Sequence, residues 1–471
     1  MDNGAATRAE YAYDLKSNLA DGEYTLSFSL SGDVANARII FTPLSKSAEE
    51  VTRDLGPLEK GLNSLTIAQS ELGNESYTWA VEVNGYTVGR ISKLYSETGT
   101  FSKTTTRGGV VPITDPASPA FGKTVVAYSY AQGFSLFDRD YAEVYSRLNS
   151  GSPFSTTNKH SAFRGGELRG RAVFADWSDA NTGYWIVDPS DFASAPVNML
   201  QGTKASNGTY TYNGVAIGGG SCCVAFQGSG AETAMWAFEE DVYSNSLVRY
   251  TIGESDQITA APTSTFSGKY TSTSYLTNAS IDVAPTANGA FIAQLLDENS
   301  TTTPVLIYID NAGNMLYNAG SDLASTTDCS SGVALSRDGS LLALGGIVQN
   351  IGIYSVSWTG NTPKLTYLYD IPSSNCARVG QLKFDYAGNL HCFFQDEGYR
   401  VYALPNNAPM CTTPTNQIIY GTTAQIDITT GEQPDGAPVY YNLQGVQVDP
   451  ANLTPGIYIR VQGNTATKIR L

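Results

Sequence analysis

The sequence predicts an all-β protein whose middle is a six-bladed β-propeller, flanked on either side by a small β-sandwich. Three observations carry this. First, residues 333–357, VALSRDGSLLALGGIVQNIGIYSVS, read as three short strands joined by an Asp-Gly hairpin turn and a Gly-containing loop. Such a unit cannot bury both of its faces alone, so it must repeat every 40 to 50 residues or so. Second, it does repeat. The turn glycines Gly122, Gly170, Gly220, Gly289, Gly339 and Gly388 are spaced by 48, 50, 69, 50 and 49 residues. Each is followed by a strand, a loop and a strand closing on FSLFD, YWIVD, LVRY, VLIYID, IGIY or YRVY, which again counts six. The 69-residue gap implies an insertion of about twenty residues, for which the Ser/Thr-rich run 263–277 is the expected content. Third, only 15% of residues are charged and Gly, Ser, Thr, Asn and Tyr are plentiful, with no sustained 3.6-residue periodicity, a composition of short strands and many turns.

Taken in order, residues 1–10 are polar and expected to be a disordered leader. Residues 11–88 hold alternating strands at 24–30, 37–44, 63–68 and 77–85 and read as the first sandwich. Residues 89–109, with SETGTFSKTTTRGG, read as a linker. The propeller takes residues 110–411, and the apolar run Val110, Val111, Pro112, Ile113 is expected to close the ring by adding a strand to the last blade. Residues 412–471 form the C-terminal sandwich, with a Pro455-Gly456 turn and a hairpin at Gly463-Asn464.

Three stretches carry resemblances. The strand order of residues 11–88, ending in YTWAVEV, resembles an immunoglobulin-like domain of the FlgD-like kind. SPAFGK (118–123) and FADWSDANTGYWIVDP (174–189) resemble six-bladed propellers of secreted Bacteroidetes proteins, in the NHL-repeat style. YYNLQGVQV (440–448), TPGIYIRV (454–461) and the basic pair Lys468 and Arg470 resemble the Por (type IX) secretion C-terminal sorting domain. The last resemblance implies a secreted or outer-surface location; the terminal Leu471 departs from its commonest basic ending.

Charge narrows the partners. The chain carries 44 acidic against 28 basic side chains, a net −16, which disfavours nucleic acid because phosphate recognition needs a basic footprint. No apolar run is long enough for a helical membrane span, so membrane insertion is not expected, and a monomer is. The six cysteines include the adjacent Cys222 and Cys223 but no C-x-x-C pair, and read as small buried residues.

The loops between second and third strands should gather at one mouth of the propeller. Four of them carry acids: Asp176 and Asp179; Glu239, Glu240 and Asp241; Asp297 and Glu298; Asp396 and Glu397. Trp177 and Trp236 stand among them. Aromatic faces beside carboxylates suit sugar rings, which stack their C–H surfaces while their hydroxyls donate to the acids. The ligand-binding set expected from sequence is therefore Asp176, Trp177, Asp179, Trp236 and Glu239. The competing reading is that these acids cap their own loops and that Trp177 packs between blades.

No catalytic or metal set is predicted. Ser178 to Trp185 has the wrong spacing for a sialidase Asp-box, and only His160 and His391 could serve a metal-dependent lyase. His391 reads as packed in a strand. No cofactor is expected, although a structural or ligand-bridging Ca2+ is compatible with the acid-rich loops. The functional expectation is a secreted or cell-surface binding and adhesion protein rather than an enzyme, whose propeller face takes an extracellular glycan or protein. The alternative is a polysaccharide hydrolase or lyase using carboxylates at the same mouth.

Overall fold

A computed structural model describes residues 9–45, 48–84, 91–97, 108–128, 133–148, 162–177, 181–239, 242–243, 246–266, 280–283, 288–295, 304–329, 331–346, 350–372, 379–395, 397–405, 410–414, 417–421, 438–441, 447–450, 457–462 and 465–470. Among them there is no α-helix, and three short 3-10 turns are the only helical elements. The expected 1–8 part of the leader lies outside the described residues, as do Asp179, Glu240, Asp241, Asp297, Glu298, Asp396, His160, Cys376 and residues 267–277.

The middle of the chain is a six-bladed propeller. The innermost strands are Gly108–Pro112, Ala162–Leu168, Ser221–Gln227, Ser280–Asp282, Gly332–Leu335 and Val379–Phe384. Each touches the next, and the sixth touches the first, so the ring is closed. All six inferred third strands occupy that place in their blades. The strand 332–335 illustrates why these segments lie innermost: Gly332, Val333, Ala334 and Leu335 are all buried, as a strand covered on both faces demands. The inner ring is tight enough to require glycine in places. A Cβ on Gly108 would come within 2.4 Å of the Ala127 carbonyl oxygen, and one on Gly165 within 2.5 Å of that of Val173.

Ring closure differs from the expectation. The strand that completes the sixth blade is Ser92–Ser96, from the stretch read as linker, and it pairs antiparallel with Gly398–Ala403. Val110 and Val111 instead belong to the innermost strand of the first blade, where an unbroken apolar run is fully covered. A closing strand is an outer strand, half exposed, and SKLYS shows no strong alternation to betray it. The insertion is also placed differently. It is a three-stranded sheet, Thr203–Lys204, Tyr210–Tyr212 and Val215–Gly218, between the second and third blades. Gly220 thus precedes an innermost strand, and the first hairpin of the third blade turns at Gly228 and Gly230, both at positive φ. Within 263–277, Ser264–Thr265 is the outer strand of that blade.

Two sheets form the N-terminal unit around one core. One sheet contains Ala12–Ala20, Glu23–Leu30 and Gly61–Ala68; the other contains Val51–Leu58, Val34–Pro43 and Ser76–Asn84. Strict alternation buries Tyr24, Leu26, Phe28 and Leu30 against Ile39, Phe41, Trp79 and Val81 of the facing sheet. The second sheet is finished by strands from beyond the propeller. Met410–Thr412 and Ile418–Tyr420 both pair with Ser76–Asn84, and Ile419 enters its core. Thr412 and Ile418–Tyr420, expected in the C-terminal sandwich, therefore belong here. Beyond them, the described residues form a single four-stranded sheet of Gln447–Val448, Val439–Tyr441, Ile457–Gln462 and Thr465–Arg470, rather than two facing sheets.

The N-terminal unit sits on the propeller face made by the first hairpins. Tyr11 packs edge-on against Phe121 and Tyr386, from blades one and six, at 5.1 and 5.9 Å between centroids. Arg139 lies 3.9 Å over the Tyr13 ring, and the Tyr386 hydroxyl donates to the Cys411 carbonyl at 2.6 Å. A Cβ on Gly122, at φ +79°, would come within 2.0 Å of the Tyr11 hydroxyl.

Candidate functional site

Asp176 and Glu239 are the last residues of the second strands of blades two and three, so they occupy equivalent places on the face opposite the N-terminal unit. Neither has any exposed surface. The Tyr184 hydroxyl donates to Glu239 Oε2 at 3.3 Å, and the Val242 amide to Oε1 at 3.4 Å. The inserted sheet lies over both acids. Its Tyr210 feels the Asp176 charge, and its Ile217 carbonyl accepts from the Tyr250 hydroxyl at 3.0 Å. Burial first, and then the neighbouring charges of Glu239 and a second phenol, push Tyr184 and Tyr250 well above the usual phenol range. This is a buried polar layer that seats the insertion.

Trp236 corrects the loop assignment. It lies on strand Ala234–Glu239, fully buried, stacked on Phe266 and donating through Nε1 to Gln227 Oε1 at 3.0 Å. Trp177 is half-buried and packs against the core between blades three and four. Both tryptophans serve packing here, which is where large aromatics repay the most.

The open polar site is at the other end of the channel. The innermost strands end there in a cup of about 120 Å³ to which every blade contributes, through Thr114, Glu167, Phe226, Asp282, Arg337 and Lys383. Asp282 pairs with Lys383 and accepts the Leu335 amide at 2.8 Å. Glu167 accepts the Thr114 amide at 2.8 Å, the Thr114 hydroxyl at 2.6 Å and the Asp115 amide at 2.9 Å. Burial raises the Glu167 pKa even so, against the pull of these bonds. Arg337 is exposed and lies 4.9 Å over the Tyr386 ring. It also borders a second depression of about 420 Å³, lined by Ser336, Ser340, Asp385, Tyr386 and Met410, that runs toward the N-terminal unit.

Deeper in, the channel is braced. Gln381 accepts the Val110 and Gly165 amides at 2.8 and 3.0 Å and donates to the Gly165 carbonyl at 2.6 Å, tying blades six, one and two. Arg164 of blade two donates to the Ser331 carbonyl at 3.1 Å, at the start of blade five on the opposite side of the ring. Sequence reasoning missed this set because it looked to the longer loops. A signal was present: Glu167, Asp282 and Lys383 are charges set beside Leu168, Ile281 and Phe384 at the ends of strands otherwise destined for burial.

One arrangement resembles a hydroxyl, imidazole and carboxylate relay. Tyr399 OH lies 2.9 Å and Thr124 Oγ1 3.4 Å from His391 Nδ1, with Asp385 Oδ2 3.2 Å from Nε2. Thr124, His391 and Tyr399 are at most 1% exposed, so no substrate reaches them, and the group joins blade six to blade one. Among the described residues, no three His, Cys, Asp or Glu side chains come together to hold a metal ion, and no helix is long and apolar enough to cross a membrane.

No family model matches this chain, and no curated protein does. Among solved structures, it is similar to the WD40 β-propeller domain of Doa1, at 11% identity over 67% of this chain and 97% of that one, with a TM-score of 0.36. It is likewise similar to U3-55K (13% identity, 70% and 100% coverage, TM-score 0.39) and to the RRP9 WD40 repeats (13%, 70% and 98%, 0.38). At these scores the six-bladed assignment rests on the strand pairing itself.

Proposed function

We propose that this chain is an exported binding protein that holds an extracellular ligand at the channel mouth on the first-hairpin face. The observation that carries the reading is the state of the cup's carboxylates. A hydrolase or lyase needs an acid or base aimed at its substrate. Here Asp282 is engaged by Lys383 and the Leu335 amide, and Glu167 by three donors, so both acids hold the cup in shape. The bracing by Gln381 and Arg164, which cross the ring beneath the cup, supports a shallow seat. Export rests on the likeness of 440–448 and 454–461 to a type IX sorting domain, and the FlgD-like and NHL-like resemblances of the preceding units fit a modular surface protein. Adhesion through a glycan is the use these features favour.

The test pairs retention with turnover. The full chain is applied to an immobilised glycan and peptide panel, and the same panel is assayed for bond cleavage. Retention without cleavage is expected. Cleavage that Glu167→Gln abolishes would replace the reading with the hydrolase or lyase alternative. Fractionation that leaves the full-length chain in the cytoplasm would overturn export.

A further inference from the structure

The cup has hydrogen-bond donors to spare and few acceptors. Lys383 carries three N–H groups, of which one is directed at Asp282. Arg337 carries five in a planar fork, and among the described residues it finds no acceptor, only the face of Tyr386. Both carboxylates are already occupied. The complement of such a surface is an acceptor-rich anion, and a guanidinium fork matches a carboxylate with two parallel bonds.

Building on the binding reading above, we propose that the channel mouth takes an acidic oligosaccharide. A uronate carboxylate would be held between Arg337 and Lys383, and the following sugar would lie along Tyr386 in the adjoining depression. The rim speaks against a peptide. Peptides are commonly held through backbone pairing at an open strand edge, but here the hairpin backbones are bonded within their own turns. The Ser336 amide donates to Leu341, Gly339 to Ser336, Asp385 to Asn389 and Gly388 to Asp385. What the rim does offer is an aromatic side chain, Tyr386, which suits a sugar, while the Ser336 and Ser340 hydroxyls are engaged by Asp338.

The experiment is calorimetric titration of the full chain with galacturonate, glucuronate and mannuronate oligosaccharides, with neutral oligosaccharides of equal length, and with a glutamate-rich peptide. At least one uronate series should bind, the neutral series at least tenfold more weakly. Arg337→Ala should lose at least tenfold in affinity with an unchanged melting midpoint, since Arg337 is an exposed turn residue. Lys383→Met should lose affinity too, and its melting curve shows whether a stranded Asp282 has disturbed the fold. Neutral sugars binding equally, or Arg337→Ala binding normally, would overturn the carboxylate assignment and leave the binding reading standing. The peptide binding in place of the sugars would overturn the glycan assignment. Failure of every uronate would overturn the proposal, and failure of the whole retention panel would overturn the binding reading with it.

Discussion

Trp236→Ala separates a packing tryptophan from a ligand-stacking one. The indole is fully buried in the core shared by blades three and four, 5.9 Å from the Phe266 ring and nearly parallel to it. Truncating a buried aromatic costs about 3 to 5 kcal/mol, because the cavity left behind closes only in part. Gln227, 4% exposed, would also lose the donor to its Oε1, which adds to the cost. For a unit of this size, each kcal/mol moves the melting midpoint by roughly 2 to 4 °C, so a drop on the order of 10 °C is expected. Calorimetry and urea unfolding should agree, with an unchanged urea slope if only stability is altered. Trp177→Ala, at a half-buried position, should cost less. A Trp236→Ala protein melting within two degrees or so of wild type would refute the packing assignment and restore Trp236 to the ligand set.

Glu97 follows the closing strand, accepts the Tyr128 hydroxyl at 2.8 Å and the Tyr399 amide at 2.9 Å, and has its pKa raised by burial. The folded chain thus holds this proton more tightly than the unfolded one, and the associated stability is full at acid pH and declines as pH rises above about 4.5 through the raised value. Wild type should therefore lose stability relative to Glu97→Gln between pH 4.5 and neutrality, as read by urea midpoints; a difference that stays flat with pH would contradict this. Gly165→Ala places a methyl within 2.5 Å of the Val173 carbonyl and within 2.8 Å of Val111, and should destabilise the ring by about 1 to 3 kcal/mol, again read from unfolding midpoints. An alkylating reagent followed by peptide mapping should label exposed Cys411 in the native chain, slowly because burial of its thiol raises its pKa, and reach Cys222, Cys223, Cys329 and Cys392 only after denaturation.

The blades were legible because each repeats a local pattern. An apolar strand, a turn glycine and a third strand with a bulky end lie within about 25 residues. The long-range pairings were not legible. Ser92–Ser96 meets Gly398–Ala403 across some three hundred residues, and the polar SKLYS resembles linker because an outer strand is solvated on its open face. Gly220 misled the blade count's spacing because a glycine before an innermost strand looks like one in a hairpin. The acids at 176 and 239 were read as loop residues because sequence cannot show that an inserted sheet lies over them. Conversely, the cup's Asp282 and Lys383 come from different blades, and only ring closure brings them together.

The return of the chain to its first unit has a consequence for biosynthesis. Strand Ser76–Asn84 waits for partners that begin at Met410, 326 residues later (410 − 84 = 326). At about 5 to 20 residues per second, that is a wait on the order of tens of seconds. Until then one side of Ser76–Asn84 is an unpaired edge, and the space for Ile419 is unfilled. A unit made before the propeller is therefore completed after it, since its final strands arrive only once the sixth blade has been made. During that interval the open edge of Ser76–Asn84 can pair with the strand of a second nascent chain in place of Met410–Thr412, so the order of synthesis makes this edge the place where two copies would first entangle.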